Sequence, residues 1–160
     1  MKPSLIITGL MGAVFLMLYY APVSHAPSPS DPAEEVAASP YVTIGSAKIF
    51  AEIARDEAAL RKGLSGRIRL GPDQGMLFVF PKPERYRFWM PDMHFPIDII
   101  WIVDGKIIGI HHSVPPESNP ASPRFYRPPK PAQYVLEVNA GFAKNKNVKA
   151  GDSVTFYNID

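Results

Sequence analysis

Two apolar runs, IDIIWIV over Ile97–Val103 and KIIGI from Lys106, are separated only by Asp104-Gly105. An Asp-Gly pair accepts the positive φ angles of a type I′ turn, whose twist matches that of antiparallel neighbours. The spacing therefore predicts a hairpin, and a hairpin commits its surroundings to a sheet. The preceding stretch, Gly75–Ile100, has the same character. Its apolar runs are short and broken by prolines and charges, and seven of the chain's eighteen aromatic residues fall within Phe78–Trp101.

Elsewhere the hydrophobic period is also mostly two. Tyr41–Ile44 and Ala47–Ile53 read as strands joined at Gly45-Ser46. Met76–Phe80, Tyr86–Met90, Ile97–Val103, Lys106–His111, Ala132–Val138 and Val154–Ile159 complete the set. One helix interrupts them. Asp56 can cap it, Glu57–Lys62 are helix formers, Arg61 and Lys62 suit its C-terminal dipole, and Gly63 ends it. About eight short strands and one short helix predict a mainly β single domain, a small sandwich or barrel.

Ahead of that domain, Lys2 precedes the uncharged run Leu5–Tyr20, followed by Ala21-Pro22 and Ser24-His25-Ala26. A basic start, an apolar middle and a small-x-small exit form the signature of a secretory signal peptide over residues 1–26, with cleavage after Ala26. The competing reading is an uncleaved membrane anchor through residues 5–23. In both cases the rest of the chain is expected outside the cytoplasmic membrane, in the periplasm or beyond. Residues 27–40 (PSPSDPAEEVAASP), with four prolines, three serines and three acids, read as an extended linker.

The remaining residues, 41–160, suffice for one domain. The chain has no cysteine, which excludes disulfides, thiolate metal sites and a cysteine nucleophile, so the fold must rest on its core. Tyr41–Asp160 holds 16 Lys and Arg against 12 Asp and Glu, a net of +4. That charge is too small and dispersed to argue for a nucleic-acid partner.

Catalytic templates fail. Gly63-Leu64-Ser65-Gly66-Arg67 misses the nucleophile elbow because that turn needs glycine where Arg67 stands. There is no phosphate-cradling glycine loop and no H-E-x-x-H, and neither a metal nor another cofactor is expected. A site from His94, one of His111 and His112, and Asp98 or Glu137 has the ligand types. Adjacent strand residues point to opposite faces, however, which sets the histidine pair against it.

Side-chain parity is more telling. In Arg85–Met90, Tyr86, Phe88 and Met90 share a core face. Arg85, Arg87 and Trp89 share the other, a surface suited to stacking on a flat ligand or to an arginine lying over the indole. Asp98 sits in a strand apolar on both faces and needs a partner, for which Arg67 and Arg87 are the candidates. Glu137 shares a half-polar face with Gln133, Val135 and Asn139 and can border a pocket. Between His112 and Pro131 seven prolines in twenty residues predict a long loop outside the sheet. It is either a stiff connection or a lid presenting Phe125, Tyr126 and Arg127 to a ligand.

Several motifs occur in order: Gly63-Leu64-x-x-Arg67, Gly75-Met-Leu-Phe-Val-Phe80, Phe88-Trp-Met90, Pro96-Ile-Asp98, the Asp-Gly hairpin, Tyr134-Val-Leu-Glu137-x-Asn139-x-Gly141 and Gly151-Asp152. In these the chain, from about Ala47 onward, resembles the domain of unknown function 192 family. The resemblance implies a predominantly β domain, often exported, with no established activity. The chain departs from that pattern at Ser65, where the family has methionine. It departs again at Pro91-Asp92-Met93, where the family has lysine-asparagine-threonine.

Two functions are then in view. One is a non-catalytic envelope module that binds a small polar or glycan-like ligand through Arg67, Arg87, Trp89, Asp98, Glu137, Tyr126 and Arg127. The other is a glycosidase-like hydrolase whose catalytic pair is Asp98 and Glu137, which requires carboxylates roughly 5–9.5 Å apart.

Overall fold

The computed structural model describes Ser39–Ile159. The expected signal or anchor segment and all but the end of the linker lie outside the described residues. Seven strands form one sheet: β1 (Tyr41–Ile44), β2 (Ala47–Ala54), β3 (Gln74–Glu84), β4 (Ile97–Val103), β5 (Lys106–Val114), β6 (Ala132–Asn139) and β7 (Val154–Tyr157). Their order is β5-β4-β6-β3-β2-β1-β7. Every neighbouring pair is antiparallel except β2 and β3. Those two are parallel because the chain returns through α1 (Glu57–Lys62), which begins and ends where the sequence places it. Asp56 accepts from the Ala59 N–H at 2.8 Å, and the Gly63 N–H donates to the Ala59 carbonyl.

The sheet is curled into a half-barrel. At one end its two margins touch: Lys106 bridges Ser153, and the Val154 N–H donates to the Gly105 carbonyl at 2.9 Å. The predicted β4–β5 hairpin is present, with Asp104 at φ 50° and Gly105 at φ 65°, as a type I′ turn demands. One face of the sheet buries Val42, Ile49, Leu77, Ile100 and Leu136 against Phe142 and Ala143 of a second helix, α2 (Phe142–Asn145). The opposite face buries Phe78, Ile99, Trp101 and Val135 beneath Leu64, Met90 and Tyr126 from the connecting segments. Both faces of β4 and β6 are thus covered, which explains their nearly unbroken apolar runs.

The expected strand at Tyr86–Met90 does not form. The interior strands beneath it, β3, β6 and β4, already have a neighbour on each side. The segment therefore crosses the second face of the sheet and makes a single bridge, Phe88 with Tyr126. Its alternation nevertheless survives: Met90 is buried, Tyr86 and Phe88 are half-buried, and Arg85, Arg87 and Trp89 are exposed. The Pro-rich stretch 115–131 stays outside the sheet, as expected, but it is anchored to it. Tyr126 is buried, and a Cβ on Gly109 of β5 would stand 2.9 Å from a Pro129 ring carbon.

Candidate functional site

The cover of the second sheet face is incomplete at one point. Between the end of α1 with the following turn (60–65) and the crossing segment (86–93) lies a pocket of about 240 Å³. Leu60, Leu64, Phe78, Phe88 and Met90 give it apolar walls, and Phe80 stacks on Tyr86 at 3.7 Å between ring centroids along one side. Arg61, Lys62, Arg87 and Trp89 also line it. This volume is below the roughly 300–1,000 Å³ of sites for drug-sized molecules, so it suits a ligand of about one ring.

Glu137 also lines this pocket, and it is the unusual residue of the molecule. It stands opposite Met76 of β3 and Ile99 of β4 and is only 5% exposed. Its carboxyl has no hydrogen-bond or ionic partner among the described residues. No fully enclosed polar side-chain atom lacks a partner in the described residues, so the carboxyl keeps its contact with the outside through the pocket. With no compensating charge, burial pushes the group up to about 8, and it carries a proton at neutral pH.

At the surface beside this pocket Trp89 is 41% exposed and Phe125 44%. Their rings lie 6.4 Å apart, and the Arg87 guanidinium sits 5.0 Å from the Phe125 centroid. The arginine expected over the Trp89 indole lies over Phe125 instead. Lys62 has no ionic partner among the described residues, whereas Arg61 is tied to Glu57. The turn after α1 and the segment after Met90 meet in the pocket wall. The Ser65 hydroxyl donates to the Pro91 carbonyl at 2.7 Å, and the Gly66 N–H donates to the Asp92 carbonyl at 2.8 Å.

The other residues singled out in the sequence lie elsewhere. Arg67 forms a two-pronged ion pair with Glu52, which holds the carboxyl below its ordinary value and raises the guanidinium. Asp98 is fully buried, and no arginine reaches it. Its Oδ1 accepts from the N–H groups of Ser113 at 2.8 Å and Gly141 at 3.1 Å, and its Oδ2 from that of Ala143 at 2.9 Å. Ser113 lies at a bulge in β5 with φ 48°, which turns its N–H out of the ladder. Gly141, at φ 83°, is the cap residue of α2 and has no side chain to cap with, so Asp98 supplies the missing acceptor from across the fold.

Asp98 pairs with Val138 and Glu137 with Ile99, so the two carboxyls project from opposite faces of the sheet. They cannot flank one glycosidic bond, and the acid–base pair suggested by the sequence is not formed. Tyr126 turns inward against His111 and Arg124, away from the pocket, and Arg127 is exposed apart from it. The histidine-based metal set is not assembled either. His94 faces Asp92 at 3.7 Å, and His111 Nδ1 accepts from the Trp101 indole N–H at 2.8 Å. Burial, then Arg124 and His112, lower His111 from its ordinary value. No group of three potential ligands occurs among the described residues.

A second pocket, of about 380 Å³, lies over Phe50–Ile53 and Gln74. Glu52, the one ionisable group lining it among the described residues, is already held by Arg67. The unsatisfied chemistry therefore lies in the Glu137 pocket, where Arg87, Trp89 and Glu137 of the sequence candidates come together.

Fold and pocket together describe a curled β domain with one buried, unpartnered carboxyl at a small opening. Residues 41–156 match the DUF192 family, described as uncharacterized ACR, and the chain belongs to that family. It is similar to the crystal structure of a protein of unknown function from Novosphingobium aromaticivorans DSM 12444. The two are 32% identical over 72% of this chain and 83% of that one, with a TM-score of 0.65. A protein of Sinorhizobium meliloti 1021, proposed to be a transcription regulator, is 31% identical over 73% of this chain and 91% of its own, with a TM-score of 0.66. No curated protein matches the chain.

Proposed function

We propose that the domain is a non-catalytic binding module for a small polar or glycan-like ligand, seated in the pocket lined by Glu137 and Trp89. One observation carries this reading: a buried carboxyl without a partner opens onto a pocket beside an exposed indole. A carboxyl that is largely buried and relieved only by its contact with the pocket costs stability, and a ligand donor that pairs with it recovers part of that cost on binding. The exposed face of Trp89 supplies stacking area for a ring.

Trp89 and Phe88 separate the ligand platform from the core. Phe88 packs edge-on to Phe78 at 4.9 Å and Trp101 at 5.3 Å between centroids. Phe88→Ala is expected to cost roughly 3 kcal/mol. Trp89→Ala should melt within a degree or two of wild type. A panel of monosaccharides, polyols and amino acids, read by tryptophan fluorescence and melting shift, should include a compound whose effect Trp89→Ala abolishes. If no compound acts on wild type, or if Trp89→Ala collapses as Phe88→Ala does, the platform does not exist.

The same proposal places the domain outside the cytoplasmic membrane. The supports are the basic Lys2, the apolar run Leu5–Tyr20 and Ser24-His25-Ala26. N-terminal sequencing of the envelope fraction should begin at Pro27. A full-length membrane-bound product would establish the anchor, and a cytosolic product would end the proposal of export.

A further inference from the structure

The pocket narrows the chemistry of its occupant further. We infer that its ligand is a small zwitterion whose ammonium group meets the Glu137 carboxyl and whose acidic group lies toward Lys62 and Arg87. This rests on the binding reading above and specifies the ligand class within it.

Three observations converge. The first is the carboxyl itself, buried, unpartnered and in contact with the pocket. An ammonium group is the occupant that gains most there, because it converts an unsatisfied acid into a hydrogen-bonded ion pair in surroundings of low dielectric. Secondly, the pocket is lined by the aromatic residues Phe78, Phe80, Tyr86 and Phe88, and ring faces attract a desolvated cation. The third is the sign of the remaining charge. Apart from Glu137, the ionisable groups lining the pocket are Arg61, Lys62, Tyr86 and Arg87. Arg61 is already paired with Glu57, but Lys62 and Arg87 have no anionic partner among the described residues. A simple cation would enter against that charge, whereas a molecule that also carries a carboxylate or phosphate would satisfy both ends.

This arrangement has a proton signature. Near neutrality the free protein holds the proton on Glu137, consistent with the upward displacement caused by burial. When the ammonium binds, the carboxyl ionises and its proton passes to the buffer, while the ammonium keeps its own three protons. The flanking neighbours Met76 and Ile99 do not titrate, and no imidazole lines the pocket. Tyr86 is pushed above its ordinary phenol value, first by burial, so it does not exchange a proton near pH 6.5.

The test is isothermal titration calorimetry at pH 6.5 in phosphate and in imidazole, buffers with different ionisation heats. The probes are glycine, L-alanine and L-lysine, with glucose and N-acetylglucosamine as neutral comparators and acetate as the anion alone. At least one amine probe should bind with release of close to one proton. Glu137→Gln should bind it at least tenfold more weakly with no proton release, and removing both rim charges in Lys62→Ala/Arg87→Ala should weaken it severalfold. The melting temperature of each variant establishes that it is folded. Binding of a neutral sugar without proton release, with every amine silent to tens of millimolar, would overturn the zwitterion inference while the binding module stands. Silence from amines and sugars alike would overturn both.

Discussion

Asp98→Ala is expected to cost on the order of 4 kcal/mol in unfolding free energy, a large share of the roughly 5–15 kcal/mol that holds a domain of this size together. Removing the carboxylate leaves the N–H groups of Ser113, Gly141 and Ala143 without their acceptor. The Ala143 donor is buried and the other two are part-buried; a buried donor so orphaned costs about 1–3 kcal/mol, and a part-buried one less. The three donors come from the β5 bulge and the start of α2, so both elements loosen together. Asp98→Asn retains one acceptor oxygen but presents an amide NH₂ to groups that can only donate, and should fall between alanine and wild type. Urea denaturation of the three proteins measures the series. If Asp98→Ala unfolds at the wild-type midpoint, these bonds do not hold the fold.

Glu137→Gln should move in the opposite direction, with an effect that sets in above about pH 4.5 and grows with pH. In the folded protein burial holds the Glu137 carboxyl at about 8, against an ordinary value of 4.5. Below 4.5 both folded and unfolded states keep the proton, so the group has no effect on their balance. As pH rises the unfolded chain releases the proton first, and stability falls until the folded carboxyl also ionises near pH 8. One pKa unit corresponds to about 1.4 kcal/mol, so the loss attributable to this residue across the window is on the order of 4–5 kcal/mol. Glutamine cannot ionise. Subtracting its pH–stability profile from that of wild type should give little difference at pH 4 and a deficit for wild type that grows to pH 8 and then levels. Parallel profiles would mean that Glu137 is not held protonated in the fold.

The two carboxyls also show what the sequence could and could not reveal. Parity alone placed Asp98 in a strand buried on both sides and Glu137 on a face beside a pocket. It could not give the partner of Asp98, because backbone N–H groups leave no mark in a search for opposite charge. A faint signal was present: Gly141 precedes Phe-Ala-Lys with no side chain able to cap a helix, so an acceptor had to come from elsewhere. The Asp104-Gly105 hairpin and the Asp56–Gly63 helix were legible because their geometry is decided within a few residues. The segment Tyr86–Met90 was misread for the converse reason. Its period of two is real, but the interior strands already have a neighbour on each side and the free sides of the described sheet lie at the margins of β5 and β7, so the segment lies over a sheet face instead. Tyr126 faces inward because Phe88 recruits it into a bridge 38 positions away, a pairing that no local pattern announces.

The curl of the sheet also bears on how copies of this protein avoid one another. An open sheet ends in two rows of unpaired N–H and C=O groups, each a template for a strand from another molecule. Here β7 offers only four residues at one margin, and the start of β5 at the other is joined to the approach to β7 through Lys106 and Ser153. In a chain without cysteine, which cannot cross-link itself against misassembly, one margin of only four residues and a second tied down at its start disfavour edge-to-edge aggregation.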